Sequence, residues 1–264
     1  MDVNKVHKTM CETALEAGNL IAATAPGSVG VMQKGGTANY VTECDVRVQK
    51  FVLEKLSVFS PEIGFFGEEG EGNNSSDSGY AFIVDPIDGT SNYMFSLGLS
   101  AVSIALCDLK ENKTLAAAIY CPFTRELFSA VSGGGCYLNG KQIFVSDKDM
   151  EHGLTGFGST PYDRTVAATH MTILSDAYDA SIDVRNLGTA ALHLAYVAAG
   201  RFAAFYEMRL SPWDYAAGEL LITEAGGKLT NFEGVAPSLT VPDSIVGGNP
   251  KAYSELLAII KKHI

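Results

Sequence analysis

The sequence lacks the features that nucleic-acid and membrane proteins need. Its 264 residues carry a formal net charge of −11. Because a phosphate backbone is bound through a basic surface, so acidic a chain is not expected to bind nucleic acid. The sequence also has no run of about 18 apolar residues, so no membrane-spanning segment is predicted. An acidic protein that handles phosphates needs metal ions to reverse the local charge.

The cysteines, the histidines and the common catalytic and nucleotide-binding motifs point to no function. The five cysteines are odd in number, no two form C-x-x-C, and the five histidines show no ligand spacing. A disulfide framework or zinc site is therefore not expected. The N-terminus lacks the compact apolar stretch of a signal peptide, which favours a cytoplasmic protein. The motifs G-x-S-x-G, H-E-x-x-H, G-x-x-x-x-G-K-[ST] and G-x-G-x-x-G are also missing.

What is present is typical of a layered α+β protein. Hydrophobic residues make up 47% of the chain and charged residues 19%. Helical spacing predicts one helix over residues 1–24 and a second over DVRVQKFVLEKLSVFSPE. Strand-like runs over residues 75–150 predict a mainly antiparallel sheet, with an Asn139-Gly140 hairpin. Strands and helices then alternate. We expect one domain, 1–264, with a soft boundary near 145–153 between 1–148 and 149–264.

Two aspartates follow a strand-like run in the segment FIVDPIDGTSNY. Asp85 and Asp88 are three residues apart, and burying both without compensation would raise at least one pKa. They could simply form a turn, with Asp88-Gly89 at the bend. Alternatively, Gly89-Thr90 opens a helix whose free amide groups bind an anion such as phosphate. Carboxylates beside an anion site require a hard cation between them.

Two other segments contribute acids to the same argument. FGEEG contains Glu68, which taken alone fits a solvated acidic turn. SPWDYAAGELLITEAGG places Asp214 in the first turn of a helix, where the helix dipole favours it. Together with Asp85 and Asp88, these oxygen ligands suit Mg²⁺, which prefers carboxylates, waters and phosphate oxygens. Two such ions can activate a water and stabilise a leaving oxygen in phosphate-ester hydrolysis.

GEE, DPIDGTSNY and WDYAAGELLITEAGG, in this order and spacing, resemble the inositol monophosphatase family of lithium-sensitive, magnesium-dependent phosphatases. The resemblance runs from QKGGTANYVTECD to Gly247–Asn249. It implies a layered αβαβα sandwich of the inositol monophosphatase and fructose-1,6-bisphosphatase type, and a homodimer. It also implies hydrolysis of a small phosphate ester, best myo-inositol monophosphate, by water that metal ions activate.

The resemblance implies a metal-binding role for five residues. Glu68 and the backbone carbonyl of Ile87 would bind the first ion, and Asp85 would bridge two ions. Asp88 and Asp214 would complete the second site. A third Mg²⁺ near Glu68 would bring the number per active site to two or three.

Other residues would position water and phosphate. The resemblance pairs Thr90 with Asp45 to orient the attacking water, so that Asp45, Glu68 and Thr90 form the catalytic set. The amides of Gly89 and Thr90 would hold the phosphate. Lys34 is expected to screen Asp45.

Substrate selection involves a further set of residues. Glu207 lies seven residues before the acid of the WD motif, which suggests a contact with a polyol hydroxyl, although it also fits a charge at a strand end. Gly188, Thr189 and Ala190 would line the substrate pocket, although Thr189 also fits a simple helix cap. Arg185 would touch phosphate, a neighbouring acid or a subunit interface.

Two other functions remain open from the sequence. The SPWD segment, which bacterial and archaeal relatives often carry, loosens the assignment to inositol. A broader phosphatase would act on fructose 1,6-bisphosphate, nucleotide 3′-phosphates, histidinol phosphate or the 2′-phosphate of NADP. A metal-dependent regulatory binding protein is the second alternative.

Overall fold

The computed structural model describes residues 1–25, 29–34, 39–70 and 72–264. Part of the predicted break after the first helix, and part of QKGGTANYVTECD, lie outside these ranges. The helices are α1 (Val3–Ala23), α2 (Glu43–Phe59), α3 (Thr90–Met94), α4 (Ala167–Ala180), α5 (Ala190–Ala198), α6 (Pro212–Glu224) and α7 (Pro250–Ile260). The strands are β1 (Val31–Gln33), β2 (Tyr40–Thr42), β3 (Gly64–Gly67), β4 (Tyr80–Asp88), β5 (Ala101–Asp108), β6 (Lys113–Cys121), β7 (Glu126–Val131), β8 (Cys136–Leu138), β9 (Lys141–Ile143), β10 (Leu154–Phe157), β11 (Asp183–Arg185), β12 (Ala204–Leu210), β13 (Lys228–Thr230) and β14 (Asp243–Gly248).

The larger sheet has the order β3-β4-β5-β6-β7-β8-β9. Strand β3 runs parallel to β4, and all later neighbours are antiparallel, which confirms the mainly antiparallel prediction for residues 75–150. The predicted hairpin joins β8 to β9. Asn139 and Gly140 have φ values of 50° and 78°, as a tight two-residue hairpin turn requires.

The smaller sheet has the order β11-β10-β12-β14-β13. Strands β11, β10 and β12 are parallel, whereas β14 runs antiparallel to β12 and β13. Its parallel strands are connected through α4 and α5, as parallel crossovers require. The carboxyl end of β12 leads directly to α6.

Three apolar cores hold five layers together, and the central core contacts both sheets. Helices α1 and α2 pack on one face of the larger sheet, through side chains such as Met10 and Val52. Helices α5 and α6 fill the space between the two sheets, where Leu194 and Leu221 are buried. Helices α4 and α7 cover the outer face of the smaller sheet. The order is therefore αβαβα, and the α+β class and layered architecture are confirmed. The soft division near 145–153 stays a prediction.

Helix α2 begins earlier than its hydrophobic spacing predicts. It starts at Glu43 because Thr42 and Asp45 form a capping box, in which the Asp45 carboxylate accepts from the Thr42 N–H at 2.9 Å. The predicted strand SIDVRNLG is also shorter, and ends at Arg185 rather than at Gly188. All five cysteines are free. Among the described residues, no helix is both long and apolar enough to cross a membrane.

Candidate active site

A bulge in β4 brings the two aspartates of DPID to one face of the larger sheet. Side chains alternate between faces along a strand, so residues three apart would normally point in opposite directions. Here Asp85 pairs with Ser103 and Asp88 with Ala101, which leaves one extra residue on β4. Pro86 lies inside this bulge, a position that a proline can occupy because no ladder hydrogen bond is lost. Both carboxylates therefore face α5 and α6.

Asp214 joins them from the first turn of α6. Its carboxylate accepts from the backbone N–H of Ser211 at 2.7 Å, in a capping box that also fixes where the helix begins. One oxygen each from Asp85, Asp88 and Asp214 lies within 4.8 Å of the others, in a buried cluster. Asp214 thus caps the start of α6 and also belongs to the acidic cluster, so both interpretations of this residue apply.

The electrostatics of this cluster fit a divalent cation. Burial raises the pKa of Asp85 well above its ordinary value, and the charges of Glu68 and Asp88 raise it further. Burial and the charges of Asp88 and Glu68 likewise raise the pKa of Asp214 well above its ordinary value. Ionised carboxylates this close and this buried need a positive partner. Since all the donors are hard oxygens, the residues present fit Mg²⁺.

Asp88 is held by the N-terminus of α5. One of its oxygens, Oδ2, accepts from the Thr189 hydroxyl and, at 2.6 Å, from the backbone N–H of Ala191. The Thr189 hydroxyl also accepts weakly from the Leu192 N–H at 3.4 Å, so Thr189 caps the helix and binds the acid at once. Burial raises the pKa of Asp88 to about 6, and these donors limit the rise. Sequence reasoning missed Ala191, whose backbone role leaves no signal.

Lys34 lies beside the GEE segment. Its Nζ is 3.1 Å from Oε1 of Glu68 and 2.7 Å from Oε1 of Glu69, so these two glutamates are its direct partners, and the screening of Asp45 stays a prediction. Burial raises the pKa of Glu68, and Lys34 opposes this rise. Burial also raises the pKa of Glu69 to about 7. Glu68 is thereby held at the edge of the cleft by a cation of the chain itself.

Thr90, which is half-buried, forms a pair with the fully buried Asp45. The Thr90 hydroxyl lies 3.1 Å from Oδ1 of Asp45 and 3.2 Å from the carbonyl oxygen of Ile87. The other Asp45 oxygen accepts from the backbone N–H and hydroxyl of Thr42. Burial raises the pKa of Asp45, although these hydrogen bonds lower it. Asp45 therefore contacts the cleft through Thr90, and its charge also raises the pKa of Glu68 and Asp85.

Gly89 makes the turn between β4 and α3. Its φ of 89° and ψ of 43° are left-handed, and a Cβ there would lie 3.0 Å from the Leu99 carbonyl oxygen and 3.2 Å from that of Gly188. Both the conformation and the close contacts require glycine. The turn leaves the start of α3 facing the cleft, where Gly89 and Thr90 both lie.

Glu207 enters from the smaller sheet. It is buried on β12, where its Oε1 accepts from the backbone N–H of Thr160 at 3.0 Å and from the Thr160 hydroxyl at 3.3 Å. Burial raises its pKa to about 8. A Cβ added to Gly158 would lie 1.9 Å from the other Glu207 oxygen, so a larger residue there would displace the Glu207 carboxyl.

The predicted residues converge on one cleft of about 320 Å³. Those that line it are Glu68, Asp85, Ile87, Asp88, Gly89, Thr90, Gly188, Thr189, Ala190, Glu207 and Asp214. Asp45 lies behind Thr90. Arg185 is not among the lining residues. It forms an ion pair with Asp183, so of its three predicted partners the structure shows the neighbouring acid.

Sequence reasoning missed two further parts of the wall. Residues 158–162 after β10 contribute Ser159, Pro161 and Tyr162. His193 of α5 also lines the cleft, with Nε2 accepting from the Leu187 N–H at 2.9 Å and Nδ1 lying 2.7 Å from the Thr189 carbonyl oxygen. These partners assign the proton to Nδ1, and burial lowers the pKa of His193 to about 4.

Known proteins match the chain over nearly its whole length. The sequence model described as the inositol monophosphatase family matches residues 2–264. The inositol-1-monophosphatase of Rhizobium meliloti is 36% identical over 258 residues, covering 97% of this chain and 96% of the relative. The Nus factor SuhB of Escherichia coli K12 is 35% identical over 254 residues, covering 95% and 94%. The crystal structure of the extragenic suppressor protein suhB from Bartonella henselae superposes with a TM-score of 0.90 at 35% identity, covering 98% and 100%.

Proposed function

The chain belongs to the inositol monophosphatase family, and on this basis we propose that it is a Mg²⁺-dependent phosphomonoesterase that hydrolyses myo-inositol monophosphate to inositol and phosphate. One observation carries the proposal: carboxylates of Asp85, Asp88 and Asp214, distant along the chain, converge within 4.8 Å in a buried cluster. A pure binding module has no use for so costly a concentration of like charge. The cleft beside it is large enough for a small ester.

We propose that Glu68, Asp85, the Ile87 carbonyl, Asp88 and Asp214 hold two to three Mg²⁺ ions. When bound, these ions supply the positive charge that a phosphate dianion needs and lower the pKa of the attacking water. Asp85 faces the charges of Glu68, Asp88 and Asp214, which would suit a ligand shared by two ions. The hydrogen bonds that Asp88 and Asp214 accept from backbone donors keep these side chains oriented before any ligand binds.

The chain's own residues position the reactants. The Thr90 hydroxyl donates a hydrogen bond to Asp45, and its oxygen then orients the attacking water. The Gly89 and Thr90 amides at the start of α3 hold phosphate oxygens. Gly188, Thr189 and Ala190 wall the cleft from the α5 side. Four of the five cysteines are buried, and we assign none as a nucleophile, so water attacks the phosphorus directly.

A screen of phosphate release over about a dozen esters, with Mg²⁺ and with EDTA, tests this proposal. We expect Mg²⁺-dependent release with the highest kcat/KM on myo-inositol 1-phosphate, and inhibition by Li⁺. If fructose 1,6-bisphosphate, a nucleotide 3′-phosphate, histidinol phosphate or NADP were far better, the broader phosphatase would replace the inositol enzyme.

The regulatory alternative is supported by the name Nus factor that the E. coli relative carries. It predicts a folded protein that binds Mg²⁺ yet releases phosphate from no ester in the screen. We also propose a homodimer, which light scattering on the purified protein would test. A cytoplasmic location and the lack of nucleic-acid binding stay predictions from composition.

A further inference from the structure

The turn after β10 contains a strained residue at the cleft. Thr160 is 1% exposed and has a φ of 44°, in the left-handed region that residues with branched side chains rarely adopt. Its backbone N–H and its hydroxyl both donate to Glu207, at 3.0 and 3.3 Å. Strain of this kind persists where surrounding contacts outweigh it, and it concentrates at ligand sites. The turn is thus tied to Glu207.

Tyr162 is fixed in the same turn from both sides. Pro161 precedes it and restricts the backbone. The N–H of Asp163 donates to the Thr160 carbonyl at 3.1 Å, which closes the turn around Tyr162. The Asp163 carboxylate then caps the short 3₁₀ helix Arg164–Val166 through the Thr165 N–H at 3.0 Å. Tyr162 is therefore presented on a fixed support.

Tyr162 forms part of the wall of the cleft. The residue is 47% exposed, yet it lines the cleft together with the acids. Burial raises the pKa of its hydroxyl above the ordinary value, and the charges of Asp214 and Glu207 raise it further. Tyr162 and Glu207 thus line the same cleft, and part of Tyr162 stays in solvent.

We propose that Tyr162 is a specificity-determining residue that contacts the hydroxyl-bearing alcohol part of the ester substrate. This proposal rests on the proposed phosphatase function. The carboxyl of Glu207 offers hydrogen-bond acceptors, whereas the Tyr162 O–H offers a donor across the same cleft. A polyol ring has several hydroxyls that can meet both groups. An ester whose alcohol part has no free hydroxyl can use neither.

Tyr162→Phe tests this inference because it removes the hydroxyl and keeps the ring. We would measure kcat and KM with myo-inositol 1-phosphate and with phenyl phosphate, whose leaving group carries no other hydroxyl. The ratio of kcat/KM for the inositol ester to that for phenyl phosphate should fall about fivefold, the effect of one net hydrogen bond. Most of the change should appear in KM for the inositol ester. Tyr162→Ala, which also removes the ring, should lower the ratio at least as much.

Tyr178→Phe is the matched control, since Tyr178 is 57% exposed on α4 and is not a lining residue of the cleft. It should leave the ratio unchanged. An active wild type with the same ratio in Tyr162→Phe would overturn the role of Tyr162 and leave the phosphatase proposal standing. A wild type that releases phosphate from no ester would overturn both.

Discussion

Asp88 uses its two carboxylate oxygens for different tasks. Oδ2 is saturated by the Thr189 hydroxyl and the Ala191 N–H, so Oδ1 is the oxygen left for a ligand in the cleft. The same donors favour the ionised form. Burial raises the pKa of Asp88 to about 6 and that of Asp85 well above its ordinary value. Asp88 is therefore the more readily ionised of the two at neutral pH.

Asp88→Asn should lower kcat by orders of magnitude and weaken the dependence of activity on Mg²⁺. Asparagine keeps the shape and an acceptor oxygen but removes the charge, so the thermal midpoint in EDTA should not fall. Asp179→Asn, at an exposed position on α4, is the matched control and should keep full activity. Full activity in Asp88→Asn, measured by phosphate release, would contradict its role.

Glu207→Gln should stabilise the metal-free protein more as the pH rises from 5 to 8. The folded-state pKa of about 8 exceeds the ordinary 4.5, so ionising Glu207 costs stability above the unfolded pKa. The glutamine removes this cost, while its side-chain oxygen still accepts from Thr160. Urea unfolding should show a gain of up to a few kcal/mol at pH 8 and little at pH 5. The same gain at both pH values would rule out ionisation as the cause.

At the scale of the element, the start of α5 supports both the fold and the site. Its nine residues are nearly all buried between the two sheets, so the helix cannot shift without disturbing the central core. His193 ties the preceding turn to the helix through the Leu187 N–H. The N-cap, Thr189, then reaches Asp88. Any displacement of this terminus is transmitted directly to the acid cluster.

Thr189→Val should reduce stability by about 1 kcal/mol, the usual effect of losing an N-cap. It should also weaken Mg²⁺ binding about tenfold, since a ligand loses the partner that orients it. Thr189→Ser keeps the hydroxyl and is expected to retain both properties. Calorimetric titration with Mg²⁺ and urea unfolding measure the two effects. Equal Mg²⁺ affinity in the valine and serine variants would show that the hydroxyl does not orient Asp88.

The acids of the cleft could be predicted from sequence because short motifs carry them. DPIDG and WD keep each acid beside a turn or a helix start, and their convergence follows from the family resemblance. The segment around Thr160 could not be predicted, because its partner Glu207 lies 47 residues away on another strand. The contacts of Lys34 with Glu68 and Glu69 could not be predicted for the same reason. Its distance from Asp45 along the chain says nothing about Glu68 and Glu69, which β3 brings to its side.

At the scale of the whole molecule, periodicity predicted most elements and a layered α+β class, but only the resemblance predicted the αβαβα order of the layers. Helix α5 is apolar nearly all round, as a helix between two sheets must be. Residue patterns alone could not say which sheets it separates. The start of α2 differs from its predicted position because a capping interaction between side chain and backbone sets it, whereas the prediction used hydrophobic spacing.

Because of the acids in the cleft, the free energy of unfolding of the metal-free protein should decrease as the pH rises from 7 to 9. Asp85, Asp214 and Glu207 have pKa values raised by folding, so the folded state binds more protons than the unfolded state in this range. Histidines contribute little there, because the unfolded form has already lost its proton. In EDTA, calorimetry should show a lower Tm at pH 9 than at pH 7.

Mg²⁺ should raise the Tm and reduce this dependence, because it binds the folded state. Asp88→Asn, which removes one ligand, should show a smaller rise with Mg²⁺ than the wild type. A Tm in EDTA that is constant or increases between pH 7 and pH 9 would mean that the cleft acids do not limit stability.

The extra residue in β4 has a consequence for finding such sites in other chains. A regular strand assigns odd and even positions to opposite sides, so a search for paired ligands would demand an even interval and discard D-P-I-D. Here one inserted residue changes the parity between Asp85 and Asp88. Pairs of acids at an odd interval should therefore be retained as candidates when a proline lies between them. Proline inside a strand often marks a bulge, and a bulge places both side chains on the same face.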